Sequence, residues 1–227
     1  EFSLDRVQKA GAIFDIEKLN WFNWQWKRKL HWDKLKSKAL ELDPNAVITE
    51  STKGPKFLID KAKLEEFEKY RATLLNSLID KYLNETYKKS NTSYLDKAVL
   101  TLEEKILKEA ENINEHIGFY FTEKFQYNLS LFLNEKMQID LEVTKNAIDK
   151  SIEMLEEKDF ESEELLLDKF KLIIADLNYK NGQVLWPVRV ALTNEEFSPG
   201  VFEICSVYGY IKTIEHLKNA QSYLASK

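Results

Sequence analysis

Glycine and proline are scarce in this chain, and their scarcity limits its possible folds more than any other feature does. The 227 residues include 6 glycines and 4 prolines, whereas 31% of the residues are charged. Sandwiches and barrels need frequent tight turns, and lysine, glutamate and leucine favour helices. With 44% hydrophobic residues the chain is too apolar to be disordered. We therefore predict an all-α fold with few or no strands.

The charges are unevenly distributed along the chain. The formal net charge is −5, but residues 101–170 carry −10 and residues 1–40 carry +4. The simplest interpretation of residues 101–170 is that their acidic side chains lie on helix faces that are exposed to solvent. The acidic balance speaks against a protein that coats DNA or RNA without selection, because such a protein needs an excess of basic residues. A polyanion is expected to avoid the middle of the chain and to contact its two ends.

Apolar spacing and turn residues predict where the helices lie. Asp15 precedes apolar residues at helical spacing and is a candidate N-cap. The sequence Asp43-Pro44-Asn45 predicts a turn, and Lys53-Gly54-Pro55 predicts a loop. One long helix is predicted from Lys61 to about Tyr87, followed by a polar linker at residues 88–93. Further helices are predicted at about 96–121, 122–136, 140–157 and 161–178.

The residue patterns that support catalysis or metal binding are missing. The three histidines are far apart in the sequence, and none has a histidine or cysteine at metal-ligand spacing. The glycines do not form a phosphate-binding loop, and the carboxylate clusters have the polar setting of solvated helix faces. Cys205 is the single cysteine, so the chain cannot form an internal disulfide, which weakly favours a reducing compartment. No apolar run approaches the roughly 18 residues of a membrane span. We predict no catalytic residue, no metal site and no bound cofactor in this chain.

Two stretches carry more specific information than the rest. Residues 2–23 read FSLDRVQKAGAIFDIEKLNWFN, and residues 185–204 read LWPVRVALTNEEFSPGVFEI. Together they resemble the C-terminal half of bacterial glutamyl-tRNA synthetases. In that family the first stretch has the pattern F-x-L-x-R…GAVFD…KLxWxN. The second has the pattern PLRVALTG…SPGLFE. Two long motifs in the right order are more specific than either one alone.

The resemblance implies a fold, a domain organisation and a place in a larger enzyme. The fold would be an all-helical cage of the type that class I synthetases use for anticodon binding. Residues 1–60 would end the stem-contact region, and residues 61–121 and 122–227 would form two helical anticodon-binding subdomains. The family's HIGH and KMSK motifs are absent, so we expect the chain to be part of a longer cytoplasmic glutamate–tRNA ligase. That parent enzyme would attach glutamate to tRNA(Glu) with ATP and Mg²⁺.

The second stretch contains the residues that the resemblance assigns to the anticodon: Arg189, Ser198, Pro199 and Val201. Arg189 is one of four arginines in the chain, and a guanidinium can bond to a base edge or stack on a base face. Pro187 is predicted in the first turn of a helix, with Arg189 on the same turn. Asn194 is predicted as a left-handed C-cap. Residues 198–201 are predicted as the N-cap and first turn of the next helix, with backbone N–H groups that face outward.

One departure from the family concerns discrimination between tRNAs. Family members that reject the glutamine anticodon use an arginine in the pattern E-R-x-x-T-L, followed by an aromatic cluster. Here the aromatic cluster is Phe119-Tyr120-Phe121, and the closest counterpart of the arginine is Lys105. A lysine can contact a base edge but lacks the planar fork of an arginine. Lys105 is therefore a candidate anticodon contact, and rejection of tRNA(Gln) stays open.

The first helix combines tryptophans with basic residues. Helical spacing predicts that most of the tryptophans pack in a core, although aromatic residues among bases can also stack on nucleotides. The basic residues are predicted to contact the tRNA backbone: Lys27, Arg28 and Lys29. Such contacts position a tRNA without reading its sequence.

The leading hypothesis is a monomeric, tRNA-binding part of a glutamate–tRNA ligase that has no contact with membranes or DNA. Two alternatives remain open. One is a helical protein-interaction or scaffold module with no role in RNA binding. The other is the anticodon-binding part of another class I synthetase of the lysyl type. Only residues 187–201 separate these interpretations in the sequence.

Overall fold

The computed structural model describes residues 15–51 and 54–227. This part of the chain is helical apart from one short hairpin, which confirms the predicted all-α fold. The first motif falls largely on residues 2–14, and these lie outside the described residues, as does Lys53 of the predicted loop. The α-helices of the described part are α1 (Ile16–Leu42), α2 (Lys61–Ile79), α3 (Glu85–Lys88), α4 (Thr92–Thr101), α5 (Glu103–Glu109), α6 (Ile113–Ile117), α7 (Leu129–Phe132), α8 (Leu141–Met154), α9 (Glu163–Leu177), α10 (Asn181–Thr193) and α11 (Val201–Ala225).

The contacts divide the chain into two compact units, one ending at Phe67 and the other running from Glu68 to Lys227. The predicted boundaries at residues 60 and 121 stay predictions. Within the second unit, α8, α10 and α11 pack against one another and α9 packs on α8. Their buried faces belong to one hydrophobic cluster that runs from Leu75 to Leu224 and includes Phe132 and Phe170.

The first unit contains α1 and the hairpin. As predicted, Asp15 caps α1, since its carboxylate accepts a 3.0 Å hydrogen bond from the Lys18 N–H. The helix ends at Leu42, directly before the predicted turn. Strands β1 (Val47–Thr49) and β2 (Lys56–Leu58) then pair antiparallel. Gly54 lies between them with a φ of +122°, and a side chain there would collide with the Trp32 ring.

The tryptophans of α1 are less buried than predicted. Trp21 and Trp26 are 52% and 62% exposed, and Trp24 and Trp32 are half-buried. The buried residues of α1 lie in its second half: His31, Leu35 and Ala39. Helical spacing predicted the helix itself correctly, but within this unit the apolar residues of its first half are exposed and only its second half is covered.

Three predicted helix ranges are wrong, and in two of them a polar side chain starts a new short helix. The helix that begins at Lys61 ends at Ile79 and does not reach Tyr87. Asn84, Asn91 and Asn128 each accept a hydrogen bond from a backbone N–H two residues later and cap α3, α4 and α7. Such bonds compete with the continuation of a helix. The range 122–136 contains only the short α7, and the range 96–121 holds the end of α4 followed by α5 and α6, which start without a side-chain cap.

Two other predictions about this region have different outcomes. The polar stretch at 88–93 contains the connection between α3, which ends at Lys88, and α4, which begins at Thr92, so the connection is shorter than predicted. The helices predicted at 140–157 and 161–178 are confirmed as α8 and α9, with their ends shifted by a few residues. None of the helices in the described part is both long and apolar enough to span a membrane.

Candidate functional site

A cavity of about 500 Å³ lies in the second unit and is lined by residues from two distant stretches of the sequence. One side is formed by the end of α4, by α5 and by α6, and the other by α10 and the loop before α11. Four of the residues predicted from the sequence line it: Lys105 from α5, Arg189 from α10, and Ser198 and Pro199 from the loop.

Arg189 is held in this cavity by hydrogen bonds to the loop. One terminal nitrogen donates to the Ser198 hydroxyl at 2.8 Å, and the other donates to the Glu196 carbonyl at 2.9 Å. The guanidinium carbon lies 4.7 Å from the centre of the Trp186 ring, a cation–π distance. Burial lowers the pKa of Arg189, but an arginine stays protonated at neutral pH. Because these acceptors are neutral oxygens, the guanidinium brings positive charge to the cavity.

The prediction that Pro187 starts a helix is wrong. Helix α10 begins at Asn181, and Pro187 is buried in its interior. A proline there removes one backbone hydrogen bond, at a cost of about 3 kcal/mol. The complete burial of Val184 and Val188 on either side offsets this cost, since each buried valine contributes about 1.5–3 kcal/mol. Arg189 consequently lies in the second half of α10 and reaches the loop that follows the helix.

The predicted start of the next helix is also wrong, by a few residues. Helix α11 begins at Val201 with Gly200 as its N-cap, and the Gly200 N–H donates to the Glu203 carboxylate at 2.6 Å. Ser198 therefore does not cap the helix, and the Gly200 N–H is already bonded within the protein. Val201 is 4% exposed and packs in the core instead of lining the cavity.

Asn194 ends α10 in the left-handed conformation, as predicted, with a φ of +54°. Its side-chain oxygen accepts from the Asn128 N–H at 3.2 Å, and its side-chain nitrogen donates to the Gln126 carbonyl at 3.3 Å. These bonds tie the start of the loop to the segment before α7. The loop that carries Ser198 and Pro199 is thus anchored at its first residue, Asn194, and a second time by the hydrogen bonds from Arg189 of α10.

On the other side of the cavity, one carboxylate joins two side chains. Glu109 Oε1 lies 3.6 Å from Lys105 Nζ and 3.3 Å from His116 Nε2. Burial alone would raise the pKa of Glu109, but a hydrogen bond from Asn112 and the charges of nearby basic residues hold it below its ordinary value. The carboxylate is therefore ionised at neutral pH. Lys105 and His116 both line the cavity.

The aromatic cluster that resembles the family's base-reading aromatics is mostly buried. Phe119 and Tyr120 are 5% and 0% exposed and belong to the core. The Tyr120 hydroxyl bonds to the Thr101 hydroxyl at 2.8 Å, and burial raises the pKa of this phenol. Phe121 is half-buried and stacks on Tyr87 with ring centres 4.5 Å apart. In this structure the cluster packs against α3 and α4 from within the protein.

The basic residues predicted to contact the tRNA backbone lie on α1, in the first unit. The Arg28 guanidinium lies 4.1 Å from the Trp32 ring centre, and the Lys29 ammonium lies 5.3 Å from the Trp26 ring centre. Arg28, Lys29 and the two tryptophans line a groove of about 590 Å³, which Lys27 does not line. Lys27 is exposed on the same helix.

Residues 15–51 and 54–227 contain no group of three histidine, cysteine, aspartate or glutamate residues that could hold a metal ion. Cys205 is completely buried, and burial raises the pKa of its thiol to about 12. A thiol with such a pKa is inert at neutral pH, because the thiolate is the reactive form.

Six of the ten residues that line the cavity are not predicted from the sequence, and Phe197 and His116 are two of them. Phe197 lines the cavity and is 78% exposed, which is unusual for so large an apolar side chain. His116 stands far from the other histidines in the sequence, and this isolated position gives no signal of a place in the cavity. Phe197 had a usable signal, since it directly precedes the Ser198-Pro199 pair of the second motif.

Residues 63–221 match the model of the anticodon binding domain family, so the chain belongs to this family of tRNA-recognition domains. It is 27% identical over 219 residues to the glutamate–tRNA ligase of Clostridium tetani, covering 96% of this chain and 36% of that protein. The glutamate–tRNA ligase of Clostridium novyi is 25% identical over 221 residues, and the match covers 96% of this chain and 37% of that protein. The predicted resemblance to glutamate–tRNA ligases is thereby confirmed. The chain spans about a third of the length of these relatives.

Solved structures of two glutamate–tRNA ligases contain a region with the same fold as this chain. A glutamate–tRNA ligase of Elizabethkingia meningosepticum superposes with a TM-score of 0.58 at 18% identity, covering 99% of this chain and 36% of that structure. The glutamate–tRNA synthetase of Elizabethkingia anophelis gives a TM-score of 0.52 at 18% identity, and the match covers 98% of this chain and 34% of that structure.

Proposed function

We propose that this chain recognises the anticodon of tRNA(Glu) as part of a glutamate–tRNA ligase. The observation that carries the proposal is that Lys105 lines the same cavity as Arg189, Ser198 and Pro199. Membership of the anticodon binding domain family supports the same role. Proteins that read RNA sequence usually bind unstacked bases in such pockets, which combine aromatic or apolar surfaces with a few polar groups.

In this proposal each residue of the cavity has a distinct task. Arg189 holds the loop in place and supplies positive charge, since one N–H of each terminal nitrogen is bonded to Ser198 or to Glu196. Pro199 offers an apolar surface against which a base can lie, and Lys105 contacts a base edge or a phosphate. Val201 is buried, so we assign it to packing beneath the loop. Lys105 lacks the bidentate geometry of an arginine, which leaves tRNA(Gln) as a second candidate substrate.

We further propose that Lys27, Arg28 and Lys29 contact the tRNA backbone. These contacts are electrostatic and add affinity without sequence preference. The whole ligase, a cytoplasmic monomer, would use ATP and Mg²⁺ to attach glutamate to the tRNA. The catalytic groups for that reaction would come from outside this chain.

The test is fluorescence anisotropy of the purified chain with an anticodon stem-loop RNA of a glutamate tRNA. Loops with substituted anticodons serve as competitors. We expect the chain to prefer the glutamate anticodon. Arg189→Ala is expected to weaken binding by about 1–3 kcal/mol and to reduce the preference. Lys218→Ala is the matched control, because it removes a positive charge from the exposed face of α11, away from the cavity. Equal binding of all loops by the wild type and by Arg189→Ala would overturn the proposal.

Salt dependence separates this function from that of a protein scaffold. If a few phosphates are contacted, affinity for the stem-loop should fall several-fold between low and physiological salt. Affinity that does not change with salt would favour the scaffold alternative.

A further inference from the structure

The second unit has another cavity, of about 710 Å³, which shares no lining residue with the cavity around Arg189. One side is formed by residues of the segment 157–161, between α8 and α9, and the other by residues 208–211 of α11. Ile211 lines it and is 79% exposed, the largest value among the exposed large apolar residues of the described part. Exposed apolar surface at a cavity is typical of a site that binds a partner.

The backbone of α11 is broken where it passes this second cavity. Gly209 has a φ of +69° and a ψ of 179°, a conformation found almost only in glycine. Apart from atoms of its chain neighbours, no atom lies within 4 Å of the position that a Cβ would take there, so the space beside Gly209 is open. The next residue, Tyr210, packs edge-on against Phe160 with ring centres 5.6 Å apart. The two rings and Ile211 form the apolar part of the lining.

The lining also carries carboxylates that the protein leaves unpaired. Glu157 and Glu161 are exposed, and neither forms a hydrogen bond or an ion pair with the residues that the structure describes. Lys158 lines the cavity as well, but its ammonium lies 2.6 Å from the carboxylate of Glu156, which is not part of the lining. Two free negative charges therefore lie next to exposed apolar surface.

This combination of charge and apolar surface fits an arginine and does not fit a nucleic acid. Carboxylates repel phosphates, so the backbone of an RNA is disfavoured here. A guanidinium forms paired hydrogen bonds with carboxylates and stacks on aromatic faces, and its methylene groups pack on apolar surface. A neighbouring apolar residue of the same partner would cover Ile211.

We propose that this second cavity is a docking site for a basic segment of another protein, in which an arginine lies next to an apolar residue such as leucine. The arginine pairs with Glu157 and Glu161 and lies against Tyr210, while the apolar residue covers Ile211. Charge complementarity selects the partner, and burial of apolar surface supplies most of the affinity. The residues proposed to contact tRNA all lie outside this site.

The experiment is fluorescence anisotropy of the whole chain with three labelled peptides, which repeat the units Arg-Leu-Ser, Glu-Leu-Ser and Arg-Ser-Ser. The Arg-Leu-Ser peptide should bind at least about tenfold more tightly than either of the others, because it alone offers both the charge and the apolar cover. Equally tight binding of Arg-Ser-Ser would mean that any positive charge is attracted, and the proposal would then be wrong.

Substitutions in the lining test whether the peptide binds at this site. Ile211→Ser should weaken binding of the Arg-Leu-Ser peptide by about tenfold, because the leucine loses its apolar contact. The double variant Glu157→Gln, Glu161→Gln should weaken it by about threefold, the effect of losing an exposed ion pair. All three residues are exposed, so folding is not at risk.

The matched controls are exposed residues of α9 outside the cavity. Leu172→Ser removes an apolar side chain that is 58% exposed, and the double variant Glu163→Gln, Glu164→Gln removes two exposed charges. Both controls should bind the Arg-Leu-Ser peptide as the wild type does. If they weaken binding as much as the cavity variants do, the peptide binds diffusely and the proposal is overturned.

Two other occupants predict different results. If the occupant is a second copy of this chain, sedimentation of the wild type will show self-association that Ile211→Ser removes. If it is RNA, Ile211→Ser will change the affinity for the anticodon stem-loop and leave peptide binding intact. Either result would overturn the proposal. We expect the cavity variants to bind the stem-loop normally, so the function proposed above stands or falls independently.

Discussion

The guanidinium of Arg189 donates a 2.8 Å hydrogen bond to the hydroxyl of Ser198, which joins α10 to the loop before α11. The family resemblance predicts a role for each residue but gives no sign that they touch. Their contact means that the two act as one unit. A change at either residue should alter the shape of the cavity as well as remove a group from it.

The Arg189–Ser198 contact predicts that the two substitutions are not additive. Ser198→Ala should weaken stem-loop binding less than Arg189→Ala does, because Arg189 keeps its bonds to backbone carbonyls. In the double variant, the loss of Ser198 should add little to the loss of Arg189. The coupling free energy is expected to be at least about 0.5 kcal/mol, the range seen for residues in contact. A double-mutant cycle of binding free energies measures it, and strict additivity would show that the two residues act separately.

Phe197 is predicted to supply affinity without selectivity. Its ring is 78% exposed beside the cavity and has a face on which any base can stack. Phe197→Ala should therefore weaken binding of every stem-loop by about 1–3 kcal/mol and leave the ranking of the loops unchanged. Ile211→Ala is the matched control, since Ile211 is 79% exposed outside this cavity. A changed ranking in Phe197→Ala would refute the stacking role.

His216 should make the stability of the chain depend on pH. The residue is 1% exposed, and neither ring nitrogen forms a hydrogen bond with the described residues. Burial and the charge of Lys212 lower the pKa of His216 to about 4, from an ordinary value of 6.5. The unfolded chain therefore takes up the proton first as pH falls. The free energy of unfolding should decrease by about 2 kcal/mol between pH 7 and pH 5.

Urea unfolding of the wild type and of His216→Phe across this pH range measures that contribution. Phenylalanine keeps the ring contacts with Phe125 and Tyr208, whose centres lie 4.9 and 5.0 Å away, and cannot take up a proton. The variant should lose most of the pH dependence in this window. If it kept the slope of the wild type, the dependence would come from other groups.

The left-handed backbone of Asn194 predicts an order of stabilities among its variants. With a φ of +54°, alanine at this position should be less stable than glycine by about 1 kcal/mol. Both variants lose the amide bonds to Asn128 and Gln126, so their difference isolates the backbone conformation. At Lys218, inside α11, the order should be reversed, because glycine is the poorer residue within a helix. Chemical unfolding of the four variants gives both differences.

Structural features that depend on residues close together in the sequence are largely predictable. The sequence predicts Asp15 and Asn194 as helix caps, because an aspartate or asparagine at a helix end bonds to nearby backbone or tolerates a left-handed φ, and the structure confirms both. The scarcity of glycine and proline correctly indicated an almost entirely helical chain. The interruptions at Asn84 and Asn128 are not predicted, although the same local chemistry produces them.

The position of Pro187 shows where local rules fail. Proline prefers the first turn of a helix, yet α10 starts six residues earlier, because Val184 and the residues around it are buried in the core. Ser198 shows the same limit, since its hydroxyl bonds to Arg189 and not to a helix end. In both cases a tertiary contact outweighs a local preference of a few kcal/mol or less.

The sequence alone determined the helical class, several helix ends and the membership of the motif residues in one recognition family, because these depend on composition and on short-range patterns. The tertiary structure decided which of those residues meet. Lys105 and His116 line the same cavity as Arg189, Ser198 and Phe197 only because α5 and α6 lie beside α10 and the loop that follows it. That approach results from burial of the whole hydrophobic cluster from Leu75 to Leu224, a long-range effect that no single stretch of the sequence encodes.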